Sequence, residues 1–132
     1  MYKKVFIVDD DEVSVFLAEA MLAADNFAQE YFSFLQPADA LELLLQPLRQ
    51  GEPGELPNVL FLDLNMPFMS GWDFLDALTP YEGQLQEHCR IYILTSSVDA
   101  DEMKRAQSYP FLAGFLHKPL EEAIIKKLLK QA

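Results

Sequence analysis

The chain has 132 residues, of which 51% are hydrophobic, and 21 acidic against 10 basic side chains give a formal net charge of −11. This size suggests one domain with a sizeable core, and the acidic balance excludes an electrostatic nucleic-acid surface, which needs clustered Lys and Arg. No stretch approaches the ~20 apolar residues of a membrane helix, no signal peptide begins the chain, and the single Cys89 excludes an intramolecular disulfide, so we expect a cytoplasmic protein.

The first strand is predicted over residues 3–8 and is followed directly by Asp9 and Asp10. The next helix begins near Asp11 or Ser14, because apolar side chains recur after that point at helical spacing: Val13, Phe16, Leu17, Ala20, Met21 and Ala24. We expect most of this stripe to lie in the core, with only part of it exposed. A second strand over residues 29–34 and a second helix from Pro37 follow.

The third strand is a short apolar run over residues 58–62, and Asp63 comes immediately after it. A loop continues to Gly71, and a third helix is predicted over residues 72–78. Residues 79–89 are polar, so we expect an irregular connection there that is longer than usual.

The fourth strand, residues 91–94, is followed by Thr95, and a fourth helix is predicted over residues 99–108. The fifth strand, residues 113–116, precedes Lys118-Pro119, and a fifth helix follows. Strands and helices thus alternate five times, which is typical of a parallel sheet with crossover helices.

Polar side chains follow four of these strands at the point where each strand ends. In an open parallel sheet the carboxyl ends of the strands share one edge, and ligands bind there. We therefore expect Asp9, Asp10, Asp63, Thr95 and Lys118 to converge. Carboxylates favour a divalent cation such as Mg²⁺, while a hydroxyl and an ammonium group favour an adjacent anion. The pattern predicts a magnesium site beside a phosphoryl site.

The strand ends resemble those of the receiver domain of bacterial two-component response regulators, over nearly the whole chain. The resemblance rests on four motifs: Val8-Asp9-Asp10; Leu62-Asp63-Leu64-Asn65-Met66-Pro67 with Ser70-Gly71; Leu94-Thr95-Ser96; and Phe115 three residues before Lys118-Pro119. It implies a flavodoxin-like, doubly wound α/β fold with a five-stranded parallel sheet in the order 2-1-3-4-5 and five flanking helices. Because the helical pattern ends two residues before Ala132, we expect a single stand-alone receiver domain over residues 1–132 without an output domain.

The resemblance also implies roles at the phosphoryl site. Asp63 would be the phosphoacceptor, Lys118 would pair with a phosphoryl oxygen, and Thr95 would donate its hydroxyl. Phe115 would act as an aromatic switch coupled to Thr95. Taken singly, Asp63 could be a cap, Thr95 could cap the fourth helix, and Phe115 could be an ordinary core residue.

For the metal, the resemblance implies that Asp10, Asp63 and the backbone carbonyl of Asn65 bind Mg²⁺ directly. Asp9 would act chiefly through a bound water, although which of Asp9 and Asp10 is the direct ligand stays open. The bond between Lys118 and Pro119 would be cis.

The implied function is that of a phosphoacceptor response regulator. A sensor histidine kinase or a histidine phosphotransfer protein would donate the phosphoryl group, with its contact near the first helix. A conformational switch would then act on an unknown protein target, or on a second copy, through the fourth helix, fifth strand and fifth helix. We expect no enzymatic activity beyond the protein's own phosphorylation and dephosphorylation, and no nucleic-acid or membrane partner.

Two alternatives remain at this point. The chain could be a receiver-like interaction module whose output does not depend on phosphorylation. It could also be a magnesium-dependent phosphatase that forms an aspartyl enzyme. Such enzymes commonly have a second Asp two residues after the nucleophile, and here that position is Asn65.

Overall fold

A computed structural model describes residues 1–131 of the chain. Its five parallel strands form one sheet in the order β2-β1-β3-β4-β5, which confirms the flavodoxin-like topology. The strands are β1 (Tyr2–Val8), β2 (Ala28–Phe34), β3 (Val59–Leu62), β4 (Arg90–Thr95) and β5 (Leu112–His117).

Helices occupy all five places that the sequence predicts for them, and a sixth, short helix lies between the third helix and β4. They are α1 (Glu12–Ala24), α2 (Pro37–Gln50), α3 (Gly71–Leu78), α4 (Glu82–His88), α5 (Ala100–Ala106) and α6 (Glu122–Leu129). Among residues 1–131, no helix combines the length and the apolarity needed to span a bilayer.

The connection between β3 and β4 differs from its prediction. Residues 79–89 were expected to be irregular, but they form a 3-10 turn, Thr79–Tyr81, and then α4. Leu85 explains the difference, because this one fully buried side chain fixes an otherwise polar turn of helix against the core. The third flanking element is therefore a helix in two pieces.

Apolar side chains cover both faces of the sheet, as is usual for parallel strands. On one face, Phe6, Val8 and Leu60 belong to the core that α2, α3 and α4 complete. On the other, Ile7 and Phe61 pack with α1 and α6. The alternation of side chains along β1 and β3 thus supplies both cores.

The face that α1 turns to the core is not the predicted one. Val15, Ala18 and Leu22 are buried, whereas the expected stripe is largely in solvent: its exposed fractions are 65% for Val13, 69% for Phe16, 52% for Leu17 and 36% for Met21. The prediction was wrong because α1 is apolar on more than one face. Spacing alone does not choose between two apolar faces; the direction in which the chain leaves β1 does.

Candidate functional site

Three of the polar residues at the carboxyl edge of the sheet are buried, whereas Asp10 is exposed and Lys118 is half-buried. Asp9, Asp63 and Thr95 are the buried polar or charged residues within the part of the chain that the structure describes, with exposed fractions of 4%, 7% and 0%. Burying such groups is costly unless partners or a ligand compensate. The three residues are also ones that the sequence singles out.

Backbone hydrogen bonds continue across this edge and position the site. The amide of Asp63 donates to the carbonyl of Val8 at 2.9 Å, and the amide of Asp9 donates to the carbonyl of Phe34 at 3.1 Å. The amide of Lys118 donates to the carbonyl of Thr95 at 2.8 Å. The site residues therefore extend the strands, so their backbone is as firmly held as the sheet.

Three carboxylates meet at this edge. Asp9, Asp10 and Asp63 each offer an oxygen within 4.8 Å of the others. Carboxylate and carbonyl oxygens are the ligands that Mg²⁺ prefers, and a cation would relieve the mutual repulsion of the three acids. The donor set fits a hard divalent cation.

Lys118 enters the same cluster. Its Nζ lies 2.5 Å from Oδ2 of Asp9 and 3.6 Å from Oδ1 of Asp63, so in this state it pairs chiefly with Asp9. The peptide bond between Lys118 and Pro119 is cis, as the resemblance implies. One ammonium group thus faces three carboxylates, which leaves the site with an excess of negative charge.

The titration of Asp63 reflects this excess. Burial, and then the nearby negative charge of Asp9, raise the pKa of Asp63 from its ordinary value of 3.8 to about 6, although the positive charge of Lys118 opposes the rise. A carboxylate with such a pKa is ionised at neutral pH. Asp63 is therefore a buried anion that remains available as a nucleophile or a ligand.

Thr95 ends β4 at the same edge of the sheet, and its hydroxyl oxygen is bonded elsewhere. Its Oγ1 accepts a hydrogen bond from the amide of Ser97 at 3.1 Å, and no hydrogen bond joins it to Asp63 among residues 1–131. The hydroxyl therefore interacts with its own loop.

Phe115 lies further from the carboxylates. It is half-buried on β5, opposite Ile93 of β4, and packs against the core on the α5 side of the sheet. Its ring lies edge-on to that of His117, with the ring centres 5.7 Å apart. The structure thus gathers the three acids and Lys118, and places Thr95 and Phe115 along β4 and β5 behind them.

The segment from the loop after β3 to the first residue of α3 contains two residues whose local geometry the sequence does not indicate. A Cβ on Gly71 would lie 2.6 Å from the carbonyl oxygen of Asp63, so only glycine permits this approach of α3 to the site. Phe68 has φ 67 and a fully exposed ring, and the amide of Met69 donates to the carbonyl of Pro67 around it. Positive φ at an aromatic residue is a rare, strained conformation that propensities do not predict.

Sequence comparison agrees with the geometry. The family model for the response regulator receiver domain matches residues 5–130, and the chain therefore belongs to the receiver-domain family of two-component response regulators. The comparison with curated proteins found no match. Receiver domains are regulatory proteins that bind Mg²⁺ at an Asp cluster and interact with histidine kinases or phosphotransfer proteins.

Solved structures share the fold at low identity. A two-component response regulator from Cytophaga hutchinsonii is 21% identical, with a TM-score of 0.82 over 99% of this chain and 98% of that one. A receiver protein from Dyadobacter fermentans is 25% identical, with a TM-score of 0.80 over 98% and 96%. The receiver domain of the histidine kinase CKI1 from Arabidopsis thaliana, complexed with Mg²⁺ and BeF₃⁻, is 23% identical, with a TM-score of 0.76 over 98% and 91%.

Proposed function

We propose that this protein accepts a phosphoryl group on Asp63 from a histidine kinase or a histidine phosphotransfer protein, and signals through protein contacts. The observation that carries the proposal is the position of Asp63. It is a buried carboxylate beside two further acids, with the ammonium group of Lys118 3.6 Å away. The matched family and the geometry support the same chemistry.

In the proposed transfer, a carboxylate oxygen of Asp63 attacks the phosphorus of a phosphohistidine. The P–N bond breaks, and its electron pair returns to the imidazole nitrogen of the donor. Since phosphoryl transfer depends mainly on positioning and charge neutralisation, Lys118 contributes by exchanging its contact with Asp9 for a phosphoryl oxygen. Asp63 is ionised at neutral pH and can act as the nucleophile.

The residues that would hold Mg²⁺ are Asp9, Asp10, Asp63 and the carbonyl of Asn65. When bound, the metal supplies positive charge against the oxygens of the transferring group. The same charge offsets the repulsion among the three carboxylates.

The proposed signal starts at Thr95. Its hydroxyl leaves the amide of Ser97 and donates to the phosphoryl group on Asp63, which draws the end of β4 toward the site. Phe115 then has space to turn inward from its half-buried position. The result is a shift between two populations of the face formed by α5, β5 and α6, where a target protein or a second copy would bind.

The proposed donor contact is the exposed apolar face of α1. Val13, Leu17 and Met21 line a groove of about 350 Å³ that reaches Lys118 and Pro119 at the phosphoryl site. Large exposed apolar patches mark binding surfaces, among them protein–protein contacts. A donor helix in this groove would present its phosphohistidine toward Asp63.

The test is intact mass after incubation with acetyl phosphate and Mg²⁺. Wild type should gain one phosphoryl group, Asp63→Asn should gain none, and excess chelator should prevent the gain in wild type. Asp101→Asn, which removes an exposed acid on α5, should label like wild type. Equal labelling of wild type and Asp63→Asn, or labelling of neither with a phosphohistidine donor or acetyl phosphate, would contradict the proposal.

A further inference from the structure

A chain of hydrogen bonds connects Thr95 to α5 through the loop between them. The amide of Ser97 donates to Oγ1 of Thr95 at 3.1 Å. The hydroxyl of Ser97 donates to the carboxylate of Glu102 and accepts from the amide of Asp99 at 3.2 Å. Ser97 therefore uses its backbone on the site side and its side chain on the helix side.

Glu102 anchors this chain to α5. It is the third residue of the helix and is half-buried, and its carboxylate forms no ion pair among residues 1–131. Its hydrogen-bond partner among those residues is Ser97. A hydrogen bond to a charged acceptor is stronger than one between neutral groups, so Glu102 is the main fixed point for the Ser97 hydroxyl.

The position of the Thr95 side-chain oxygen depends on this arrangement. Thr95 is fully buried, and the oxygen of its side chain is held by the amide of Ser97 rather than by a group at the carboxylate cluster. For Thr95 to reach a group on Asp63, Ser97 must move with it or release it. Because Ser97 is tied to Glu102, either change costs the contact with α5.

We propose that Glu102, acting through Ser97, is a positioning residue that holds Oγ1 of Thr95 at the amide of Ser97 in the unphosphorylated protein. This proposal rests on the proposed function of Asp63. Glu102 thereby opposes activation of the phosphoryl site and makes the release of Thr95 depend on a contact with α5. Loss of the Glu102 contact shifts the resting population toward the activated arrangement.

The first measurement is the affinity for BeF₃⁻, a phosphoryl mimic, by calorimetry with excess Mg²⁺. Glu102→Ala lacks the hydrogen bond from Ser97 that opposes the release of Thr95. We therefore expect this variant to bind BeF₃⁻ about fivefold more tightly than wild type. Glu102→Gln retains an oxygen that accepts from Ser97, so it should stay close to wild type. A merely structural role would not produce this rescue.

The matched control is Asp101→Ala, which removes a neighbouring acid without touching Ser97. Screened, exposed charges act weakly, so its affinity should change by about twofold at most. Unchanged or weaker binding by Glu102→Ala, or equal gains in Glu102→Ala and Asp101→Ala, would overturn the proposal.

The second measurement separates this proposal from that on Asp63. Hydrogen exchange of the Ser97 amide, without Mg²⁺ or BeF₃⁻, reports its bond to Thr95 directly. Glu102→Ala should exchange several-fold faster than wild type and Glu102→Gln should not. If wild type bound no BeF₃⁻, the proposed function would fail, but hydrogen exchange would still test the role of Glu102. Faster exchange of the Ser97 amide in Glu102→Ala would support that role, and unchanged exchange would refute it.

Discussion

The amino ends of the strands and their carboxyl ends, here called the amino edge and the carboxyl edge of the sheet, differ in how their polar groups are paired. At the amino edge, the hydroxyl of Tyr2 donates to the carbonyl of Leu128 at 2.9 Å and accepts from Nη1 of Arg90 at 3.0 Å. Oδ1 of Asn58 accepts from the amides of Lys3 and Lys4 at 3.0 and 2.9 Å. These groups have complementary partners.

At the carboxyl edge, by contrast, three carboxylates meet, and the ammonium group of Lys118 pairs with two of them, Asp9 and Asp63. Buried groups of like charge with too little opposite charge are unfavourable, and such a cluster is a candidate for ligand binding. The polar groups at the amino edge therefore stabilise the fold. Those at the carboxyl edge repel one another, and binding of a cation or a phosphoryl group changes that repulsion.

The largest expected effect comes from removing the ammonium group of Lys118. Lys118→Met leaves Asp9 and Asp63 without a counter-charge, so we expect a loss of about 3 kcal/mol in the free energy of unfolding at pH 8 in chelator. Urea unfolding measures this loss, and Mg²⁺ should restore part of it. Lys126→Met, which breaks an exposed pair with Glu122, is the control and should change little. Equal stability of the Lys118 variant and wild type would show that the cluster carries no such repulsion.

The amino edge should respond to a lost acceptor. Asn58→Ala leaves the amides of Lys3 and Lys4 without their partner, so the free energy of unfolding should fall by about 2 kcal/mol. Labelling by acetyl phosphate, measured below the unfolding temperature, should be unchanged. A labelling defect in the folded variant would mean that the two edges are not independent.

Asp63→Asn should stabilise the protein at high pH in chelator. The folded-state pKa of about 6 exceeds the ordinary 3.8, so the folded protein holds a proton that the unfolded chain has lost, and stability falls as pH rises between those values. After allowance for solvent screening, we expect the variant to gain about 1–2 kcal/mol at pH 8.

The stability gained by Asp63→Asn should shrink toward pH 4, because Asp63 of the folded wild type is protonated there and carries no charge. Thermal melts of both proteins across this pH range, with and without Mg²⁺, provide the measurement. A variant that is less stable than wild type at pH 8 in chelator would refute the raised pKa.

The smallest effect is expected for Tyr2→Phe. This variant loses one hydroxyl that bonds to Leu128 and Arg90, and it keeps the aromatic ring, whose centre lies 5.0 Å from that of Phe27. A loss of about 1 kcal/mol should follow, which is the net contribution of a typical intramolecular hydrogen bond. BeF₃⁻ affinity should match that of wild type, and a change in it would connect the amino edge to the phosphoryl site.

The sequence did not predict the individual side-chain contacts of the site. The sequence indicated that Lys118 and Asp63 would meet, but not that Lys118 would pair chiefly with Asp9. It placed Thr95 at the site, but not its bond to Ser97 or the contact of Ser97 with Glu102. Such contacts depend on the rotamers and distances of residues from separate elements, which propensity and spacing do not encode.

The sequence by itself determined the sheet, its five strands and the convergence of the acids with Lys118. The reason is geometric. The carboxyl ends of parallel strands lie at one edge of the sheet, so the backbone brings together the residues that follow the strands, whichever side chains they carry. Only the tertiary structure decided that α1 buries Val15, Ala18 and Leu22 and exposes Phe16, and that residues 82–88 form a helix. A helix that is apolar on several faces takes its orientation from the sheet against which it packs, and a short polar helix forms because one side chain reaches the core.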